Sequence, residues 1–146
     1  MTCWIVTVHA HRLSSPADWG WKNVSTHRSS RPPIETADGW LTFYHGMRQT
    51  AAGCLYRVGV ALFALDEPGV CLMRSNEWLL GPETAYERQG DVGDVVFPCG
   101  HTVGDDGDSL NIYYGAADTS IGIATGRISE ILQWLKGHSK ESPPQP

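Results

Sequence analysis

Tyr114 and Asp118 close an apolar run, Tyr113-Tyr114-Gly115-Ala116-Ala117-Asp118-Thr119. A tyrosine ring offers a flat apolar face, and a carboxylate accepts hydrogen bonds from hydroxyls. Together they suit a sugar. A second run, Gly39-Trp40-Leu41-Thr42-Phe43-Tyr44-His45-Gly46, ends in an aromatic ring, an imidazole and a glycine. An imidazole beside glycine at a strand end can approach an anion and donate to it. The plainer readings stand beside these. Asp118 before Thr119 and Ser120 also suits a turn or a helix cap. His45 also suits a strand-end histidine satisfied by backbone, and Arg74, which ends Val70-Cys71-Leu72-Met73-Arg74, suits a structural role.

The elements that must present these residues are strands. Sixteen glycines and nine prolines punctuate the chain, and between them lie runs rich in Val, Ile, Phe, Tyr and Trp. Strands are expected near 33–36, 40–46, 56–65, 69–74, 94–103, 109–115 and 120–125. Turns fall at Asp38-Gly39, at Asp66-Glu67-Pro68-Gly69 and at Asp105-Asp106-Gly107-Asp108. Short strands with regular turns indicate an all-β sandwich, barrel or propeller. One helix is expected at 128–137, where Ile128, Ile131, Leu132 and Leu135 follow helical spacing. Ser129 or Thr125 is the expected cap, with Lys136 and Gly137 at its end. Residues 1–31 show no clean period, and the tail from His138 is expected to be disordered.

Bulk properties exclude several classes. A chain of 146 residues with 41% hydrophobic and 18% charged residues suits one folded domain. The net charge of −5 and the lack of a basic run argue against nucleic acid or an anionic membrane as partner. The longest apolar stretch, Val58 to Leu65, is too short to span a bilayer. No secretory signal pattern opens the chain, so a cytoplasmic location is expected. Cys3, Cys54, Cys71 and Cys99 show no metal-ligand or disulfide spacing. Cys71 and Cys99 read as small buried hydrophobes in strands. His9-Ala10-His11 reads as two exposed imidazoles rather than a metal edge.

Five short motifs occur in a fixed order: Pro32 to Ile34, Gly39 to Leu41, Tyr44 to Gly46, Val95 to Gly100 and Tyr113 to Asp118. As an ordered set they resemble the C-terminal portion of glycoside hydrolase family 130, the β-mannoside phosphorylases and related β-mannosidases. The resemblance implies a five-bladed β-propeller. A blade takes roughly 40 to 50 residues, so this chain supplies about two to three blades. A partial five-bladed propeller with a C-terminal helix is therefore expected over 32–137. An unpaired sheet edge then invites self-association or a partner chain carrying the missing blades.

The family's chemistry inverts the anomeric carbon: an acid protonates the glycosidic oxygen while phosphate or water attacks the opposite face. The resemblance implies that Tyr44, Tyr114 and Asp118 contact sugar, and that His45 and Arg74 contact phosphate. It implies no metal and no cofactor, with inorganic phosphate as the possible co-substrate. The family's acid aspartate lies in its N-terminal half and matches no position here, so no catalytic residue is assigned. Two departures bear on phosphate. Thr26-His27-Arg28-Ser29-Ser30-Arg31 lacks the family's glycines, and Asp94 places a negative charge where asparagine is expected. Phosphorolysis and hydrolysis both stay open. The rival readings are a non-catalytic carbohydrate-binding or assembly module, and a plain structural β domain whose aromatics are core.

Overall fold

A computed structural model describes residues 24–28, 32–50 and 53–141 of the protein. His9, His11 and Cys3 lie outside these. All the expected strands form, with shifted ends: β2 at Ile34–Thr36, β3 at Gly39–Thr50, β4 at Gly53–Phe63, β5 at Cys71–Ser75, β6 at Val96–Val103, β7 at Ser109–Ala116 and β8 at Ser120–Arg127. The helix α2 spans Ile128–Gly137. Two further strands arise in stretches where none was expected, β1 at Val24–Arg28 and β9 at Ser139–Glu141. A one-turn helix, α1, spans Ala85–Arg88.

The strands form two antiparallel sheets. The first has the order β1-β3-β4-β5-β9, and β2 also pairs with β3. The second is the three-stranded meander β6-β7-β8. The described residues therefore form an all-β architecture with a C-terminal helix and do not close a ring.

Alternation along β3 divides its side chains between two faces. Leu41 and Phe43, with Val58, Val60 and Leu62 of β4, turn toward the second sheet and meet Leu110, Ile112, Tyr114 and Ala116 of β7. Ile128, Ile131 and Leu135 of α2 complete this core. On the opposite face, Tyr44, Ala61 and Phe63 form a smaller cluster with Trp40 and Cys71. The outer face of the second sheet differs, because Ile121 and Ile123 stand 77% and 58% exposed.

Several local expectations are corrected. Neither Ser129 nor Thr125 caps α2. Asp108, at the β6–β7 hairpin, accepts hydrogen bonds from the Ser129 amide at 2.7 Å and from Arg127 Nε at 2.8 Å. Its backbone carbonyl accepts from the Ile128 amide. The cap thus comes from another element. Within the same hairpin, Asp106 accepts from the Ser109 hydroxyl and from the Ser109 and Asp108 amides, which holds its pKa down at about 2.

The expected disorder from His138 is also corrected. The His138 carbonyl accepts from the Asn76 amide at 2.7 Å, its ring stacks on Trp134 at 4.7 Å, and β9 pairs with β5. Residues 142–146 lie outside the described residues. Cys99 is exposed rather than buried, because a bulge between Pro98 and Gly100 leaves it without a cross-strand partner.

Both sheets use one packing device. Tyr44 lies across Gly59, its cross-strand partner, and Tyr114 lies across Gly122, its own. A Cβ added at either glycine would run into the tyrosine ring. Gly122→Ala is therefore expected to cost about 1–3 kcal/mol through overpacking. Urea denaturation of the variant checks this, and an unchanged midpoint would show that the ring can move aside.

Candidate functional site

Of the five residues expected to contact ligand, the structure buries three. Tyr44 is 3% exposed, and its hydroxyl accepts from Arg74 Nε at 2.7 Å. The Arg74 guanidinium lies over the Tyr44 ring at 4.5 Å and is itself 1% exposed. These two belong together, as a buried cation on an aromatic face. Tyr114 is 3% exposed within the main core. Both of its neighbourhoods are filled, Gly122 beneath the ring and Glu87 at the hydroxyl, so it offers no open face for stacking.

Strand alternation separates the expected phosphate pair. Arg74 is in register with Ala61, and Ala61 with Thr42, which places Arg74 on the Thr42 and Tyr44 face. His45, the next residue after Tyr44, points to the other face, with Phe43. It is half-buried, with the Tyr56 ring tilted at 6.3 Å. His45 and Arg74 thus stand on opposite faces of one sheet.

Asp118 is exposed at the tip of the β7–β8 hairpin. Ala117 and Asp118 have φ of 48° and 53°, and the Thr119 amide donates to the Ala116 carbonyl. This is a type I′ turn built without glycine, a costly choice for alanine. The surroundings hold it in place. The Ala117 amide donates to the Val95 carbonyl, and the Ala117 carbonyl accepts from the Val92 amide. The Asp91 amide donates to Thr119 Oγ1. The carboxylate of Asp118 is thus carried on a braced, strained turn.

The bracing segment also holds the residues that the sequence reading missed. Leu80 pairs with Val58, the register partner of His45, and from there the chain runs through α1 to the Asp118 turn. Gly81–Val95 thus links the His45 end of the first sheet to the Asp118 end of the second. Within it, Glu87 is 0% exposed. Its Oε2 accepts from the Glu83 amide at 2.7 Å and the Thr84 amide at 2.8 Å. Its Oε1 accepts from the Tyr114 hydroxyl at 2.7 Å. Burial works to raise the Glu87 pKa, but these hydrogen bonds outweigh it and hold the carboxyl below its ordinary range. The legible signal was Thr84-Ala85-Tyr86-Glu87, the spacing of a capping box. Tyr86, 45% exposed, places its hydroxyl 2.9 Å from that of Tyr114.

The same segment carries charge. Arg57 of β4 lies across Gly81 and 5.8 Å over the Trp78 ring. Burial lowers its pKa, Asp94 acts to raise it, and Arg88 acts to lower it. Asp94, which the sequence suggested would repel phosphate, therefore lies within electrostatic reach of Arg57. Among the described residues, no group of His, Cys, Asp and Glu is arranged to hold a metal ion, and no helix is long and apolar enough to cross a membrane.

Comparison with known proteins gives a consistent result. The family model described as beta-1,4-mannooligosaccharide phosphorylase, glycoside hydrolase family 130, matches residues 5–137. The chain is 36% identical over 131 residues to beta-1,4-mannooligosaccharide phosphorylase of Ruminococcus albus, covering 90% of this chain and 38% of that protein. It is 43% identical over 108 residues to beta-1,2-mannobiose phosphorylase of Listeria innocua, covering 74% of this chain and 29% of the relative. The solved Listeria innocua enzyme, in complex with beta-1,2-mannobiose, superposes with a TM-score of 0.69 at 39% identity, over 85% of this chain and 33% of that one. The chain thus spans 29% to 38% of the length of these relatives.

Proposed function

The chain belongs to glycoside hydrolase family 130, and from that membership we propose that it forms the C-terminal portion of a β-mannoside-cleaving site that other chain segments complete. The reaction is inverting phosphorolysis or hydrolysis of a β-mannoside. Phosphate or water forms a bond to the anomeric carbon as the glycosidic C–O bond breaks, and an acid supplied by the missing portion protonates the leaving oxygen. No cofactor is needed. Asp118 receives sugar hydroxyls, and His45 is the residue toward phosphate. Arg74, buried against Tyr44, is removed from that role.

The observation that carries this reading is the placement of His45 and Asp118 at the two ends of one connecting segment, on sheets that match a third of a mannoside phosphorylase. The exposed Ile121 and Ile123 support a further part of the proposal. Two exposed isoleucines on the outer sheet face suit packing against another blade of a five-bladed propeller, from the same protein or a partner chain. A cytoplasmic location belongs to the same proposal and is supported by the exposed free thiol of Cys99.

The test is a chimera in which this chain replaces the matching third of the Ruminococcus albus relative, assayed for phosphate-dependent release of mannose 1-phosphate. The chimera is expected to turn over, and the 146-residue chain alone is not. A folded but inactive chimera, or a chain active alone whose turnover one carboxylate substitution abolishes, would overturn the proposal.

A further inference from the structure

Resting on the reading above, we propose that Tyr86 is a sugar-contacting residue of this chain, and that Tyr114 and Glu87 are positioning residues that turn its phenol into a hydrogen-bond acceptor. The geometry fixes the direction of the protons. Glu87 Oε2 already receives two backbone amides, and Oε1 faces the Tyr114 hydroxyl. A carboxylate can only accept, so the single hydroxyl proton of Tyr114 goes to Glu87. The Tyr114 oxygen then accepts from Tyr86, 2.9 Å away. The proton of Tyr86 is therefore directed inward, which leaves its oxygen an acceptor for further contacts on a residue 45% exposed.

An acceptor of this kind recognises a donor. Asp118, at the end of the same strand as Tyr114, is acceptor-only as well and is also exposed. Two acceptors on exposed residues, one against Tyr114 and one on the turn that follows β7, suit hydroxyls of a pyranose. They give nothing to phosphate, which at neutral pH needs donors. The division of labour follows: the Tyr86 and Asp118 end selects the sugar, and the anion is held elsewhere. The phenol is also preorganised, since its inward hydrogen bond holds it before ligand arrives, which lowers the ordering cost of binding.

The experiment uses the chimera described above and ligand-observed NMR, which reports weak binding, with β-1,2-mannobiose and inorganic phosphate titrated separately. Tyr86→Phe removes one hydrogen bond to the Tyr114 oxygen, which still donates to Glu87, and should lower the melting temperature only slightly. It is expected to weaken mannobiose binding about three- to tenfold, the effect of one hydrogen bond, with phosphate unaffected. Tyr114→Phe frees the Tyr86 proton to point outward, and should weaken mannobiose binding in the same direction, again without touching phosphate. Tyr114→Phe should lower the melting temperature in either case, and a purely structural network would instead move both ligands alike or neither. Saturable wild-type binding of mannobiose that Tyr86→Phe leaves unchanged would overturn this inference alone. A chimera with the unsubstituted chain that binds no mannobiose would overturn the parent reading, and this one with it.

Discussion

Replacing Glu87 with leucine is expected to destabilise the protein by about 2–4 kcal/mol, because it removes the acceptor of one buried and two part-buried donors at once. The carboxylate is fully buried and receives the Glu83 and Thr84 amides and the Tyr114 hydroxyl. Leucine fits the volume but accepts none of them. Glu87→Gln keeps one carbonyl oxygen and should cost less. Denaturant unfolding of both variants gives the comparison, and a leucine variant within about 1 kcal/mol of wild type would show that water or a rearranged loop satisfies these donors. The pH dependence has a definite sign. The folded pKa of Glu87 lies below its ordinary value of 4.5, so its contribution is fully present above that value. Stability is lost as pH falls from there through the depressed folded pKa, because the unfolded chain takes up the proton first. The Gln variant should lack that part of the acid sensitivity.

The second large effect is expected at Arg74. Arg74→Ala removes a fully buried side chain from the Tyr44 ring and takes away the donor to its hydroxyl. The cavity and the lost hydrogen bond to the phenol together should cost about 2–4 kcal/mol. Phosphate affinity should stay as it was wherever the fold survives, since Arg74 and His45 lie on opposite sheet faces. His45→Ala should behave in reverse, with a smaller loss of stability and a loss of phosphate binding. Thermal melts and phosphate titrations of the two variants separate these outcomes. Phosphate binding lost in a stably folded Arg74→Ala protein would return Arg74 to the anion site.

Much of this protein was legible in its residue order. Strand positions follow from period-two apolar runs between turn residues, as in Ser109–Ala116 and Ser120–Arg127, and α2 follows from the spacing of Ile128, Ile131 and Leu135. The ordered motifs were enough to indicate the family. These signals are readable because they are local, or because they recur as a set.

What the tertiary structure decided is which atoms meet. Tyr44 and His45 are neighbours in sequence, yet the pleat sends them to opposite faces, so a motif that reads as one unit serves two environments. Tyr114 looked like a stacking surface, but its partner Gly122 across the β7–β8 ladder draws the ring into the core. Glu87, which the sequence reading missed, becomes a buried anchor because β7 brings the Tyr114 hydroxyl to it from 27 residues away. Asp108 caps a helix from 21 residues away, a distance over which no helical spacing rule operates. Propensity and periodicity act through the backbone over a few residues. Burial and hydrogen-bond partnership are set by register and by sheet-on-sheet packing, which join residues that the order of the chain keeps apart.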